Sequence, residues 1–81
     1  MNNNSNNIFE YNGYMPEINK DVFIAPGAKI IGKVSIGANS SIWFNCIIRG
    51  DVSSVEIGEG VNIQDGSIIH VSSFDNGETV I

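Results

Sequence analysis

Two short clusters hold the side chains in this sequence that could do chemistry: Arg49 with Asp51, and Gln64, Asp65 and His70. A guanidinium two residues from a carboxylate can form a charge-assisted hydrogen-bonded pair. The imidazole of His70 can ligate a metal in its neutral form or take a proton as a general base. Gln64 offers a carboxamide, and Asp65 a carboxylate that could also pair with Arg49. No one of these residues is a site alone. A zinc centre takes three or four protein ligands, and the chain holds one histidine and one cysteine, Cys46. On a plain solvated face the same five residues would be ordinary, so what matters is whether the fold stacks them.

An internal repeat supplies the stacking. Isoleucine recurs every six residues at Ile24, Ile30, Ile36, Ile42 and Ile48; after three extra residues the period resumes at Ile57, Ile63 and Ile69. Four positions after each stands a small or β-branched residue: Ala28, Val34, Ser40, Cys46, Val52, Val61, Ser67 and Ser73. Glycine or asparagine is frequent between them, as at Gly27, Asn39, Asn45, Gly60 and Gly66. A period of six matches neither an α-helix nor a plainly alternating strand. It matches a triangular coil in which each hexad gives one short strand and one corner, with isoleucine inside and Gly or Asn in the tight geometry outside it. Three hexads close a turn, and successive turns stack as parallel sheet. The predicted fold is all-β, a left-handed parallel β-helix of about three coils. A β-sandwich that merely favours isoleucine would not keep eight of them in one register. Cys46 stands in the small-residue column, where a core-filling role is expected.

In this register Ile24, Ile30 and Ile36 make the first coil, Ile42, Ile48 and Ile57 the second, and Ile63 and Ile69 begin the third. The three extra residues are placed within Ser53 to Glu56. Arg49 and His70 each follow an inward isoleucine, so both point outward in adjacent coils, roughly 4.8 Å apart. The spacing predicts that Arg49, Asp51, Gln64, Asp65 and His70 collect around one outer edge, with Asp51 and Asp65 available to pair with Arg49. Residues 1–7 read as a disordered, Asn-rich head. Residues 8–21, with aromatic residues interrupted by Gly13 and Pro16, read as a short strand or lid, and residues 22–81 as the β-helix, incomplete at its C-terminus.

The stretch Ile48-Arg49-Gly50-Asp51, followed after Glu56-Ile57-Gly58 by the run from Asn62 to Val71, resembles the signature of the γ-class carbonic anhydrases and their relatives. The likeness runs from about Ile18 to Ile81. It implies a homotrimer that binds zinc between subunits through three histidines and hydrates CO2 reversibly, zinc lowering the pKa of a bound water to about 7. His70 matches the first ligand. Arg49 and Asp51 match the pair that supports the subunit contact beside the metal. Gln64 matches the residue that orients zinc-bound hydroxide or substrate, Asp65 an acidic partner in that network, and Asn62 a polar neighbour. The chain departs from the pattern after Thr79-Val80-Ile81: the two further histidines have no counterpart. The expectation is a truncated chain, inactive alone, which a complementing C-terminal fragment could complete. Hexapeptide-repeat acyltransferases share the prism and use a histidine base with coenzyme A or an acyl carrier. Non-catalytic assembly proteins also use such solenoid faces. The run from Asn62 to His70 favours the first reading.

Composition narrows the rest. Four Lys+Arg against nine Asp+Glu, with no basic cluster, leave nothing to track a nucleic-acid backbone. No stretch approaches the roughly 20 apolar residues of a membrane span. One cysteine, and a start without a basic and apolar leader pattern, point to a cytoplasmic protein.

Overall fold

The backbone turns where particular residues let it turn. In the computed structural model, which describes residues 7–71 and 79–81, two columns of positive-φ residues run through the stack. One is Gly27, Asn45 and Gly66, with φ of 84, 61 and 73°; the other is Asp21, Asn39 and Gly60, with φ of 62, 64 and 68°. Each residue of the first column is the third member of a β-turn. Those turns are closed by Ala28 N to Ala25 O, Cys46 N to Trp43 O and Ser67 N to Gln64 O. A type II turn needs φ > 0 at that position, which glycine adopts freely and asparagine tolerates.

Between the corners lie β1 (Ile8–Phe9), β2 (Glu17–Ile18), β3 (Phe23–Ile24), β4 (Lys29–Ile36), β5 (Ser41–Ile42), β6 (Ile47–Ile57), β7 (Asn62–Ile63), β8 (Ile68–Ile69) and β9 (Thr79–Val80). Strands β3, β5 and β7 form one parallel face. The other sheet runs β1-β4-β6-β8, with β2 also on β4 and β9 also on β6. The two long strands bend at Gly32 and Gly50, so this sheet supplies two faces. Pairing aligns Ile24 with Ile42 and Ile63, Ile8 with Ile30, Ile48 and Ile69, and Ile18 with Ile36 and Ile57. This is the left-handed parallel β-helix that the repeat predicts. Ile30, Ile36, Ile42 and Ile48 are fully buried, Ile24, Ile57 and Ile63 nearly so, and Ile69 packs partly against them.

Three details differ from the spacing. The ladder pairs Gly32 with Gly50 and resumes at Val34 with Val55, so residues 51–54 all stand opposite Lys33. The insertion therefore follows Gly50 directly and does not lie within Ser53 to Glu56. Val52, expected in the small-residue column, is 54% exposed, and Val55 takes that place at 1%. Counting forward from Ile48 cannot show on which side of the column the extra residues fall. Counting back two from inward-facing Ile57 does, because alternate residues of a strand share a face.

The head and the segment after it also differ. Residues 1–6 of the expected disordered head lie outside the described residues, but Asn7 is buried: its Nδ2 donates to Ala28 O at 2.8 Å, and its carbonyl accepts Ile30 N. Strands β1 and β2 extend the stack on two faces, where a lid was one expectation. Ser73 lies outside the described residues. No helix among the described residues is long and apolar enough to cross a membrane.

Two substitutions probe this architecture. Ile48→Ala should cost about 2–5 kcal/mol, since the side chain is fully enclosed by the stack. Gly50→Ala would set a Cβ 2.3 Å from Lys33 O, an overlap with backbone that should cost about 1–3 kcal/mol or more. Urea unfolding followed by circular dichroism reads both, and an unchanged midpoint for Gly50→Ala would refute the tight corner.

Candidate functional site

Arg49 and Asp51 flank Gly50 on β6, so both project outward while the glycine turns in and is buried. Both guanidinium donors go to one carboxylate oxygen: Nη2 to Asp51 Oδ2 at 2.8 Å and Nε at 3.1 Å. The other oxygen, Oδ1, accepts the Val52 N–H at 2.8 Å. The side chain of Asp51 is 17% exposed and that of Arg49 46%. The hydrogen bonds from Arg49, helped by the Val52 N–H and opposed by partial burial, hold the Asp51 carboxyl below the usual carboxylate range. The insertion makes this possible, because the chain leaves the ladder immediately after Gly50 and curls the carboxylate back onto the guanidinium.

His70 follows Ile69 as Arg49 follows Ile48, and those isoleucines are paired. The two polar side chains therefore occupy equivalent, exposed positions one coil apart. Gln64 and Asp65 lie elsewhere. They open the turn 64–67 that leads into β8, whereas His70 leaves β8 at its other end. The Gln64 carbonyl accepts the Ser67 N–H at 3.2 Å and the Cys46 thiol at 2.9 Å. Cys46, fully buried, is thus core filler that also ties this turn to the coil below.

The five residues do not collect around one edge. Gln64 and Asp65 stand at one end of a face; Arg49, Asp51 and His70 stand at the other. Outward direction recurs at both ends of every strand, so hexad counting fixes direction without fixing the corner. Of the two acids offered to Arg49, Asp51 is the one it pairs with among the described residues. Two residues that the spacing did not single out belong beside the first group. Ser41 is paired with Asn62, and Trp43 follows Ile42 as Gln64 follows Ile63. Their one-coil offset from Asn62 and Gln64 was the available signal.

Zinc does not fit this set within one chain. Among the described residues no three His, Cys, Asp or Glu side chains gather, and a zinc site takes at least three protein ligands.

Comparison with known proteins places this geometry. The bacterial transferase hexapeptide (six repeats) matches residues 15–50. Gamma carbonic anhydrase 2, mitochondrial, of Arabidopsis thaliana is 53% identical over 57 residues, which are 70% of this chain and 20% of that protein. A carbonic anhydrase of Geobacillus kaustophilus is 52% identical over 65 residues, 80% of this chain and 36% of that protein. The crystal structure of a hexapeptide transferase family protein from Anaplasma phagocytophilum superposes with a TM-score of 0.85 at 45% identity, covering 93% of this chain and 42% of that one. The chain thus spans between a fifth and about two fifths of these relatives. Repeat, register and fold define a hexapeptide-repeat left-handed β-helix. Within that class the chain is γ-class carbonic anhydrase-like.

The Arg49–Asp51 pair should show in a titration. With a folded pKa below the unfolded value of about 3.9, the pair contributes fully above that pH, and its contribution is lost as pH falls through the lower folded value. Arg49→Met should move the midpoint of the Asp51 carboxyl ¹³C titration upward. A midpoint that stays put would show that the guanidinium is not the cause.

Proposed function

We propose that this chain belongs to a γ-carbonic anhydrase-like assembly, a homotrimer that hydrates CO2 reversibly with zinc at sites shared between subunits. The observation that carries the proposal is the division of the polar residues between the two ends of one face. A subunit holding Gln64 and Asp65 at one edge and Arg49, Asp51 and His70 at the other can unite such sets by apposing edges of neighbouring copies. The outer side of that face supports a partner. Phe9 and Ile68 are 39% and 62% exposed, and half-buried Ile31 and Ile47 stand at outward positions between them. Lys29 and Arg49 share those two outward rows with them, so the face offers a partner apolar side chains interleaved with cations, a mixture suited to a protein contact.

In this reading Asp51 spends both oxygens inside its own chain and fixes Arg49. The guanidinium has five N–H donors and commits two to Asp51. The rest can bind an acceptor on a neighbouring subunit or a carbonate-like oxyanion. His70 is one of the three histidines that the resemblance requires, so these 81 residues by themselves hold too few ligands for the metal. A cytoplasmic location is part of the proposal; one buried, unpaired cysteine suits a reducing compartment.

Hexapeptide acyltransfer is the second reading, favoured by the superposition on a hexapeptide transferase family protein. It predicts coenzyme A binding, which calorimetry would detect.

The deciding experiment measures zinc stoichiometry and CO2 hydration on the 81-residue polypeptide, with His70→Ala as control. Little zinc and no hydration are expected, with activity appearing once a polypeptide carrying two further histidines is added. Near-stoichiometric zinc with hydration abolished in the control would overturn the proposed insufficiency of these residues.

A further inference from the structure

We propose that Trp43 and Ser41 are positioning residues that fix the carboxamide of Asn62, so that the edge bearing Gln64 presents an N–H donor to an incoming oxygen. The inference rests on the reading of the run from Asn62 to His70 as a site. Its own basis is a hydrogen-bond relay across two coils. Trp43 Nε1 donates to Ser41 Oγ at 2.9 Å, and Ser41 Oγ donates to Asn62 Oδ1.

The relay has one polarity. An indole N–H only donates, so Ser41 Oγ must accept from Trp43. The single hydroxyl proton is then directed to Asn62 Oδ1. Turning the amide over would set Nδ2 against Ser41, so that the hydroxyl oxygen accepts twice and its proton turns to water in place of Oδ1, which breaks the relay. With Oδ1 held, what Asn62 offers a ligand is Nδ2, a donor. Asn62 is exposed and Gln64 lies two residues on, on the same outward side of the chain. An acceptor oxygen of a carbonyl, carboxylate or carbonate is the chemistry that this arm recognises.

The indole is held in turn. Its ring packs against Phe23 with centroids 4.9 Å apart and planes tilted by 53°, and against Phe44 at 6.1 Å. Tilted aromatic pairs at these separations are favourable. The aromatic group thus anchors the relay in the coil beneath Asn62, so the orientation of one exposed amide depends on side chains from two other strands and a corner.

The test is a side-chain relaxation measurement on the ¹⁵N-labelled 81-residue chain, with the Asn62 Nδ2 signals assigned by their loss in Asn62→Ala. In the unmodified chain the Asn62 side-chain order parameter should approach the value of about 0.85 typical of rigid backbone. In Ser41→Ala and in Trp43→Phe it should fall below about 0.6, while the backbone amides of Asn62 and Ile63 stay ordered; Ser41→Thr should keep it high. Trp43→Phe retains the aromatic packing and removes only the donor, so it decides the matter if Ser41→Ala fails to fold. A side chain that stays ordered in Trp43→Phe, is already mobile in the unmodified chain, or loses order together with the backbone would overturn the proposal. The measurement needs neither metal nor turnover, so a negative hydration assay leaves its result readable.

Discussion

The structure depends on a steric constraint at its corners. A chain that closes a triangle in 18 residues, as from Ile24 to Ile42, must reverse its course sharply three times per coil. At two of the corners it does so through the left-handed backbone region, always at the same level of the repeat. At the third, Gly32 is also left-handed, and backbone passes so close to backbone that only hydrogen fits at Gly32 and Gly50. Once the corners are fixed, the hexads between them have one register, and the isoleucines meet those above and below in the core. The hydrophobic column supplies the energy, but the corners decide which residues enter it.

The departure from regularity that follows Gly50 is where Arg49 and Asp51 meet. Residues 51–54 leave the ladder against Lys33 and rejoin it at Val55. A strictly periodic coil would have turned residue 52 inward, as Val34 is turned in the coil below. Leaving the ladder instead gives Asp51 a backbone N–H to cap and a guanidinium to meet, both within a few residues. The tight glycine corner and the insertion are therefore coupled. Gly50 brings the coils together, and the extra residues absorb the change of direction that follows.

A parallel solenoid converts sequence offset into spatial adjacency along its axis, yet it keeps the ends of each face apart. That geometry sets what one chain can do. Along the axis it builds short columns, such as Arg49 beneath His70 and Ser41 beneath Asn62. Across a face it separates the Gln64 edge from the Arg49 edge. Chemistry that needs both edges has to recruit a neighbour, and the outward side chains between them, apolar with Lys29 and Arg49 interleaved, are what a neighbour would meet.

The hexad of isoleucines, the corner glycines and asparagines and the pair of motifs were legible in the linear sequence, because each is a local preference repeated at a fixed interval. From them came the prism, its core and the outward direction of Arg49, Asp51, Gln64, Asp65 and His70. The tertiary structure alone decided the rest. Whether Val52 or Val55 fills the core depends on where an insertion is absorbed, and that is settled by pairing with the coil below. Which acid neutralises Arg49, and which corner each polar residue occupies, depend on side-chain reach across a folded surface. The Trp43–Ser41–Asn62 relay needs residues about twenty positions apart to touch. Periodicity can announce that they share a column, but only packing determines whether their side chains meet and in which direction the hydrogen bonds run.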